Sequence, residues 1–518
     1  MKETHTKNRS PQSKQGFAST SGASLNYGQF VLCPLIPEAL DSWQRIKIDD
    51  ATEVAAHPTL AVTQVVDGQR SLTLLGCILD PARPEATDSL VLQDLLDKSY
   101  SPTEIPKATS RLGGRWILIC RDQDQVFLFN DPLGLRQVFF TNPAHTGRVW
   151  AFSQPRFAED LLGLEMDEAA LRYMDSNVFR SDKEYHWPLT ASPYKHVSRL
   201  LPNHCLDLKG GGCRRFWPDG QIGTRSLDNA VREVSALMQG LLKAAANRFE
   251  LAISVTAGID SRLVWAACRD IRDRVCFVSI QQTKAPDDFA DIVVPARLAK
   301  KVGVEHHVIR AKATASDEFS AIFKSNVFLA HDHYAADAEA ILNHFSRKKG
   351  AVTGSGAELG KCYYGVRIPG YRRVTPNYLG KLDMGGSEFA AQHYADWLAR
   401  ANEASDLHIL DLFYWENRSA WISMTNLEFD IAWRDIITPY NCRDLLLAIL
   451  SVDEKHREGP DYLLYRLAIR RLWPELLDEP INPHLHSAAG DFKQRSKMSV
   501  KHAVLAVRRI LPFQRARG

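Results

Sequence analysis

The chain has 518 residues, of which 45% are hydrophobic and 24% are charged, and its formal net charge is +3 at pH 7. This composition excludes a mainly disordered chain, a collagen-like chain and a coiled coil. At roughly 100–200 residues per domain, the length predicts two to four domains. No stretch approaches 18 consecutive apolar residues, so no membrane span is expected, and the polar first residues predict no secretory signal.

The charge and the cysteines narrow the class of protein further. Residues 1–28 carry a net charge of +3 and residues 491–518 carry +7, which leaves −7 for residues 29–490. A mildly acidic body argues against nucleic acid as a partner. The nine cysteines are scattered and include no C-x-x-C pair, so we expect reduced thiols in a cytoplasmic protein.

The first half of the chain has the pattern of an antiparallel sheet. Residues 1–28 are polar and are predicted to be a disordered basic tail. Over residues 29–218, short apolar runs alternate with Asp, Pro and Gly, which predicts strands joined by turns. The predicted strands include residues 72–79, 114–120, 126–129 and 137–140.

The second half has the pattern of a parallel sheet. Over residues 225–490, helical and strand patterns alternate, which predicts βαβ units. The predicted strands are residues 251–255, 275–280, 307–309 and 351–353, and the predicted helices are 227–248, 290–302, one starting at Asp260 and one near 335–347. The rest of this region, to about residue 480, is predicted to be helical. Residues 491–518 form a second basic tail. The fold class predicted for the whole chain is α/β.

One loop carries the strongest chemical signal, the segment 254–262 between a predicted strand and a predicted helix. Successive backbone N–H groups at a helix start form a site suited to phosphate. Gly258 allows close approach of the backbone, Thr256 and Ser261 add hydroxyl donors, and Asp260 would hold Mg²⁺, which bridges carboxylate and phosphates. The alternative is an ordinary turn with an Asp or Ser N-cap; the loop is neither a Walker A sequence nor G-x-G-x-x-G.

The residues of this loop, T-A-G-I-D-S at 256–261, resemble the S-G-G-x-D-S pyrophosphate loop (PP-loop) of ATP pyrophosphatases, in the form found in asparagine synthetases. Further segments resemble motifs of the same superfamily and occur in the same order. They are residues 113–115 with 131–136, 200–204 with 215–217, 290–307 and 353–358. The resemblance covers about residues 75–475.

The resemblance implies two domains and a reaction. Residues 29–218 would form a degenerate, β-rich Ntn-hydrolase-like domain of the class II glutaminase type. Residues 225–490 would form an ATP pyrophosphatase domain of the adenine nucleotide α-hydrolase-like fold, with a helical C-terminal part. In this superfamily ATP adenylates a carboxylate with release of pyrophosphate, and an amine then attacks the acyl-adenylate.

The resemblance also implies cofactors and residues. ATP and Mg²⁺ would be the cofactors, and Asp260 and Glu358 would be the catalytic residues and metal ligands. The residues implied to bind the nucleotide are Ser254, Thr256, Gly258, Asp260, Ser261, Arg262, Ser279, Thr353 and Gly354.

The N-terminal part departs from the family pattern. The family glutaminase uses a cysteine at the start of its chain, but position 2 here is Lys2 and the first cysteine is Cys33. Glutamine hydrolysis is therefore not expected unless the chain is cut immediately before Cys33. The β-rich domain would then be a structural remnant or a surface for docking substrate.

The second half of the chain also departs from the family pattern. The loop at 353–358 lacks the family's Asp-Glu pair and has Ala357-Glu358, and Ser355 replaces a Glu. The family's C-terminal lysine has no clear match, since Tyr462 stands near its expected place. Lys361 and Lys455 are nearby lysines of open role.

These observations predict an ATP-dependent, AMP-forming amide ligase without glutaminase activity, acting on a small-molecule or peptide carboxylate. β-Lactam synthetases and lasso-peptide cyclases also lack the N-terminal cysteine, so cyclisation of a peptide or amino-acid derivative is the specific expectation. The alternatives are asparagine synthesis from aspartate and ammonia, and a non-catalytic homologue that binds nucleotide. A partner protein or a homodimer remains open.

Overall fold

The structure is a computed structural model, and it describes residues 25–98, 101–181, 184–282, 285–286, 288–365, 374–401 and 405–483. Nearly all of both predicted tails therefore lies outside the described residues. Within the described residues no helix has the length and apolar character needed to cross a membrane.

The first region of the fold contains two antiparallel sheets of six strands each. From edge to edge, the first sheet consists of β10 (Val197–Arg199), β8 (Phe139–Thr141), β9 (Ala151–Phe152), β1 (Phe30–Cys33), β3 (Thr52–Ala56) and β2 (Gln44–Asp49). The second sheet consists of β12 (Cys213–Arg215), β11 (His204–Asp207), β7 (Gln125–Asn130), β6 (Gly113–Asp122), β5 (Arg70–Leu79) and β4 (Val62–Asp67).

The two sheets pack face to face because apolar residues of their central strands point inward. Phe30 and Val54 of the first sheet share one buried cluster with Leu75, Ile117 and Leu128 of the second. The longest pairing joins β5 to β6 over ten positions, from Arg70 opposite Asp122 to Leu79 opposite Gly113. The first region is therefore a sandwich with its own core.

The second region is built on a five-stranded parallel sheet. From edge to edge it contains β15 (His306–Arg310), β14 (Val275–Gln281), β13 (Leu251–Ser254), β16 (Gly350–Val352) and β17 (Ile436–Ile437). Every described pairing in this sheet is parallel. Helices pack on both faces, which explains why the strands are rich in apolar residues on both sides. The carboxyl ends of all five strands meet at one edge.

The helices are distributed over both regions. The first region contains α1 (Asp88–Asp97), α2 (Ile105–Ala108), α3 (Pro143–Thr146), α4 (Phe157–Leu162), α5 (Glu168–Asp175) and α6 (Asn177–Ser181). The second contains α7 (Leu227–Arg248), α8 (Ile259–Ala267), α9 (Ala290–Val302), α10 (Asp317–Asn326), α11 (Asp332–Phe345), α12 (Pro376–Asp383), α13 (Glu388–Arg400), α14 (Ile409–Phe429), α15 (Arg443–Leu450) and α16 (Leu463–Leu472).

The predicted α/β class is confirmed at the level of antiparallel sheets followed by a parallel sheet with helices. Helices α7 and α9 have the predicted bounds. The strand predicted at 137–140 begins only at Phe139, and the two-residue strand β17 was not predicted. Residues 25–28, at the end of the predicted tail, lie against the body, because Asn26 is buried and its N–H donates to Asn326 Oδ1.

The two regions are joined by a buried network of charges. The Arg115 guanidinium donates to both carboxylate oxygens of Asp430, at 2.6 and 2.9 Å, and Arg136 donates to Asp435 at 3.3 Å. All four side chains are less than one tenth exposed. Arg115 and Arg136 belong to the first region and the two aspartates to the second, so the network fixes the regions against each other.

Candidate active site at the edge of the parallel sheet

Residues at or just after the ends of three strands of the parallel sheet lie at its carboxyl edge. Ser254 ends β13, Thr353 follows β16, and Ser279 lies near the end of β14. Open α/β sheets bind ligands at this edge. The residues predicted from the loop motif and from the 353–358 motif are therefore brought to one place.

The turn between β13 and α8 holds itself together with its own side chains. The N–H of Thr256 donates to Ser261 Oγ at 3.1 Å, and the N–H of Gly258 donates to Thr256 Oγ1 at 3.1 Å. The N–H of Ala257 donates to Asp291 Oδ1 at 2.9 Å. The expected cradle of free amides is therefore wrong for these three positions, whose donors are already used.

Among the described residues, the N–H groups without a hydrogen-bond partner follow this turn directly, at the start of α8. Gly258 is the N-cap of α8 and makes no side-chain capping bond, so the alternative of an Asp or Ser cap is wrong. The first N–H groups of a helix have no partner within it, and here these belong to Ile259, Asp260 and Ser261. The helix dipole adds positive potential at the same point, so an anion is favoured there.

The loop after β16 lies directly against this helix start. A Cβ atom added to Gly354 would lie 3.0 Å from the Asp260 carbonyl carbon and 3.0 Å from the Ser261 nitrogen. Only a residue without a side chain fits such an approach of two backbones without displacing one of them. Gly354 therefore sets the distance between the two predicted motifs.

The two predicted metal ligands meet a lysine at this point. Lys361 Nζ donates to Asp260 Oδ2 at 2.5 Å, and the charges of both groups act on Glu358. The side chains of Asp260 and Lys361 are 22% and 16% exposed. Glu358 and Lys361 belong to one short 3-10 turn, Ala357–Lys361, whose residues three apart lie on the same side. The cluster is thus two carboxylates and one ammonium.

Burial dominates the electrostatics of the cluster. Burial raises the pKa of Asp260, although the neighbouring Lys361 acts to lower it. Burial and the charge of Asp260 raise the pKa of Glu358. Burial acts to lower the pKa of Lys361, but the two carboxylates outweigh it and raise that pKa. Lys361 therefore stays protonated, and its one positive charge offsets part of the negative charge of the two carboxylates.

The residues present fit a magnesium site of the kind completed by substrate phosphates. Asp260 Oδ1 is a buried oxygen with no hydrogen-bond partner in the part of the chain that the structure describes, and Mg²⁺ is commonly held by one or two carboxylates together with phosphates and water. No group of three or more His, Cys, Asp or Glu side chains that could hold a metal occurs among the described residues. Asp260 and Glu358 would hold the ion only together with the phosphates.

Two predicted nucleotide contacts take other positions. Arg262 is fully buried, and its guanidinium donates to the carbonyl oxygens of Ala257, Glu479 and Pro480 at 3.0, 2.6 and 3.0 Å. It clamps the segment after residue 476 to the loop and does not face a ligand. Ser279 is 3% exposed and donates to Val255 O at 2.6 Å.

Three residues of the candidate site received no role from the sequence. Lys361 was seen only as a nearby lysine, although its spacing of three from Glu358 is the signal that a 3-10 turn would place them together. Asp291 accepts a hydrogen bond from the N–H of Ala257, and His306 Nε2 lies 2.9 Å from Ser279 Oγ. The last two contacts join distant parts of the chain, and no local pattern indicates them.

The first region offers no reactive thiol at the predicted position. Cys33 is fully buried in β1 between β3 and β9. Burial raises the pKa of the Cys33 thiol to about 12, and its Sγ donates to Leu35 O. The thiolate is the nucleophilic form of cysteine, and it is suppressed here.

Comparison with known proteins gives weak similarities only. No family model matches the chain, and no curated protein matches it. Among solved structures, the chain is similar to the glutamine phosphoribosylpyrophosphate (PRPP) amidotransferase from B. subtilis complexed with ADP and GMP. The two are 11% identical with a TM-score of 0.20, over 55% of this chain and 60% of that one.

A second solved structure, described as the allosteric regulatory enzyme of purine biosynthesis, is 10% identical with a TM-score of 0.22, over 58% of this chain and 73% of that one. The chain thus spans less than two thirds of the length of the first of these proteins. TM-scores this low assign neither a fold nor an activity to the chain.

Proposed function

We propose that the protein is an ATP- and Mg²⁺-dependent ligase of the asparagine synthase type that joins a carboxylate to an amine. The observation that carries the proposal is the meeting of Asp260, Glu358 and Lys361 at the helix start on the carboxyl edge of the parallel sheet. Free amides, two carboxylates and one ammonium suit a site that binds polyphosphate through a divalent cation.

In the proposed reaction, a carboxylate oxygen attacks the α-phosphorus of ATP, and the bond to the β-phosphate oxygen breaks. Pyrophosphate leaves, and an amine then attacks the acyl carbon and loses a proton as AMP departs. When bound, Mg²⁺ would neutralise charge on the phosphates. The amides at the start of α8 would hold the leaving pyrophosphate, and Lys361 would donate to oxygens that gain charge.

The amine is proposed to come from the substrate or from free ammonia. Cys33 is buried and protonated, so the first region supplies no nucleophile there for glutamine hydrolysis. Cyclisation of a peptide or amino-acid derivative that carries both a carboxylate and an amine is the first reaction to test. Synthesis of asparagine from aspartate and ammonia is the second.

The test is pyrophosphate release by the full chain with ATP and Mg²⁺. The panel contains aspartate with ammonium chloride, and short peptides and amino-acid derivatives with a free carboxylate and a free amine. Asp260→Asn should lower release on an active substrate by about 100-fold, the effect of losing one electrostatic stabiliser. The matched control is Asp228→Asn, whose side chain is 75% exposed on α7. Unchanged release in Asp260→Asn contradicts the assignment.

Nucleotide binding without turnover is a second candidate function. It is favoured by the amides of residues 256–258, which are already bonded, and by Lys361, which already pairs with Asp260. Saturable ATP binding with no exchange of pyrophosphate into ATP, on every member of the panel, would support this candidate. If the protein forms glutamate from glutamine and Cys33→Ala abolishes this activity, the inert role given to the first region is contradicted.

A further inference from the structure

Helix α16 contacts both parts of the candidate active site. Leu464 of α16 belongs to the same buried cluster as Leu263 of α8, the helix whose start carries Asp260. The first turn of α16 also contacts the 3-10 turn Ala357–Lys361, which carries the other carboxylate and the ammonium of the site. The position of α16 therefore bears on how the two parts meet.

Tyr465 of α16 holds the backbone of this 3-10 turn. It is 2% exposed, and its Oη donates to the carbonyl oxygen of Ala357, the first residue of the turn, at 2.8 Å. A Cβ atom added to Gly360 would lie 2.3 Å from the same Oη, so the turn passes directly over the phenol and a side chain does not fit there. The turn cannot shift without breaking a buried hydrogen bond, and such a break costs free energy.

Tyr462 lies beside the ammonium at the end of the same turn. Lys361 Nζ is 5.6 Å from the centre of the Tyr462 ring, which is within the range of a cation–π contact. Tyr462 precedes α16 with φ 44° and ψ 51°, a left-handed conformation that residues with a side chain rarely adopt. Strain of this kind persists only where the surroundings impose it, and it is concentrated at functional sites. The fold therefore maintains an unfavourable backbone conformation at the residue whose ring faces Lys361.

The two tyrosines restrain different groups of the site. A lysine ammonium sits on a flexible four-carbon stem, so it acts at a defined place only when its neighbours restrict it. Asp260 Oδ2 restricts Lys361 from one side and the ring of Tyr462 restricts it from another. Glu358 is the second residue of the 3-10 turn, so its position follows from the backbone that Tyr465 holds.

We propose that Tyr465 and Tyr462 are positioning residues for the reaction proposed above, on which this inference rests. Tyr465 sets the place of Glu358 relative to Asp260, and Tyr462 does the same for Lys361. Neither tyrosine has to contact the substrate, the nucleotide or the metal. A displacement of about 1 Å in an active site can slow a reaction by about 100-fold. Loss of either contact should therefore lower kcat, while ATP binding by the amides at the start of α8 changes little.

The test compares Tyr465→Phe with Tyr173→Phe in the full chain, on a substrate that supports pyrophosphate release. Tyr173 is a matched control, because it is also buried and its Oη also donates to a backbone carbonyl, His186 O, at 2.8 Å, but it lies on α5 of the first region. Each change removes one hydroxyl group, so the two should lower the melting temperature similarly. Tyr465→Phe should lower kcat by about tenfold and change KM for ATP by less than about twofold, whereas Tyr173→Phe should change neither.

A second pair of variants tests the ring of Tyr462. Tyr462→Leu removes the cation–π contact and should lower kcat by about fivefold. Tyr462→Phe keeps the ring and should retain most of the kcat that Tyr462→Leu loses. Equal kcat in these two variants would overturn the role given to the ring.

The remaining outcomes separate a positioning role from other roles. Equal kcat in Tyr465→Phe and Tyr173→Phe would show a purely structural role, and a raised KM with unchanged kcat would show a binding role; either result overturns the proposal. A further readout needs no turnover, since hydrogen–deuterium exchange at the amides of residues 357–361 should be faster in Tyr465→Phe than in the unaltered protein or Tyr173→Phe. If the unaltered protein releases no pyrophosphate on any substrate, the proposed function fails. Faster exchange at 357–361 would then still support the placement of the turn by Tyr465, and unchanged exchange would overturn it.

Discussion

Two clusters of charge in this protein have opposite characters. At the junction of the regions, Arg115 and Arg136 meet Asp430 and Asp435, and no side-chain nitrogen or oxygen of these four residues is buried without a partner. At the sheet edge, Asp260 keeps one buried oxygen that no other described residue contacts by a hydrogen bond. A cluster whose groups satisfy one another stabilises a fold, whereas a cluster with an unused group is prepared for a ligand.

The comparison also shows that resemblance to a family motif does not by itself fix what the residues of that motif do in this protein. The segments 113–115 and 131–136 were identified by likeness to a glutaminase-type domain, yet their arginines here bind aspartates of the second region. The segments 256–261 and 353–358 do come together at the sheet edge. Mutations should therefore affect stability at the junction and activity at the edge.

The largest effect is expected at the junction, from Arg115→Met. This change leaves Asp430 buried without the guanidinium that binds both of its oxygens, and breaking such a pair costs about 3–5 kcal/mol. Urea denaturation measures the loss, and Arg45→Met, which removes an exposed pair with Asp41, is the control. A cost below about 1 kcal/mol, within the range of surface pairs, would break the distinction between the two clusters.

Acid should destabilise the first region through His57. The side chain is 1% exposed, and burial lowers its pKa from 6.5 to about 4, with a smaller contribution from Arg347. Between these values the unfolded chain binds a proton that the folded chain does not, so stability falls as pH decreases from 6.5 to 4. The loss is at most about 3 kcal/mol at 1.36 kcal/mol per unit.

Denaturation curves from pH 7 to pH 4 test this expectation. His57→Gln should flatten the dependence, whereas the exposed His145→Gln should leave it unchanged. Equal slopes in His57→Gln and the unaltered protein would show that acid sensitivity arises elsewhere.

Gly354→Ala probes the approach of the two loops at the sheet edge. The added Cβ would lie 3.0 Å from the backbone of α8, and forcing such a contact costs about 1–3 kcal/mol. We expect a lower melting temperature together with weaker ATP binding, because the first turn of α8 moves. The control is Gly220→Ala, where nothing lies within 4 Å of the added atom. Normal ATP binding in Gly354→Ala would contradict the role of this approach.

The smallest expected effect on stability comes from Lys361→Met, at about 1 kcal/mol for one partly buried ion pair. The informative measurement is the effect of Mg²⁺ on melting temperature. Without the ammonium, Asp260 and Glu358 lack a cation, so Mg²⁺ should stabilise the variant more than the unaltered protein. Lys349→Met, from a pair with the exposed Glu250, is the control. An equal response to Mg²⁺ would mean that the carboxylates do not hold the ion.

Much of the fold was predictable because the helices and strands follow from the local spacing of apolar residues. The bounds of α7 and α9 follow from apolar residues at spacings of three and four, and β14 follows from a continuous apolar run. Strand β17 has two residues, which is too short for any period to be seen. It forms because residues far apart in sequence place it beside β16.

The site was predictable in its parts and not in its connections. The motif located Asp260 and Glu358, but the donors of residues 256–258 are taken by Ser261, Asp291 and Thr256. The position of the Arg262 side chain depends on carbonyl groups that lie more than 200 positions later in the chain.

The turn after β7 carries a consequence for any attempt to divide the chain. A Cβ atom added to Gly356, whose φ is 91°, would lie 2.6 Å from Leu133 Cδ1, and the N–H of Leu133 donates to Asn441 Oδ1 at 2.8 Å. Trp415 Nε1 also donates to Pro132 O at 2.7 Å. The sandwich therefore forms one wall of the loop that holds Glu358, and the parallel-sheet half is not a portable module. Transplanted alone, it would lose the surface that shapes its own site.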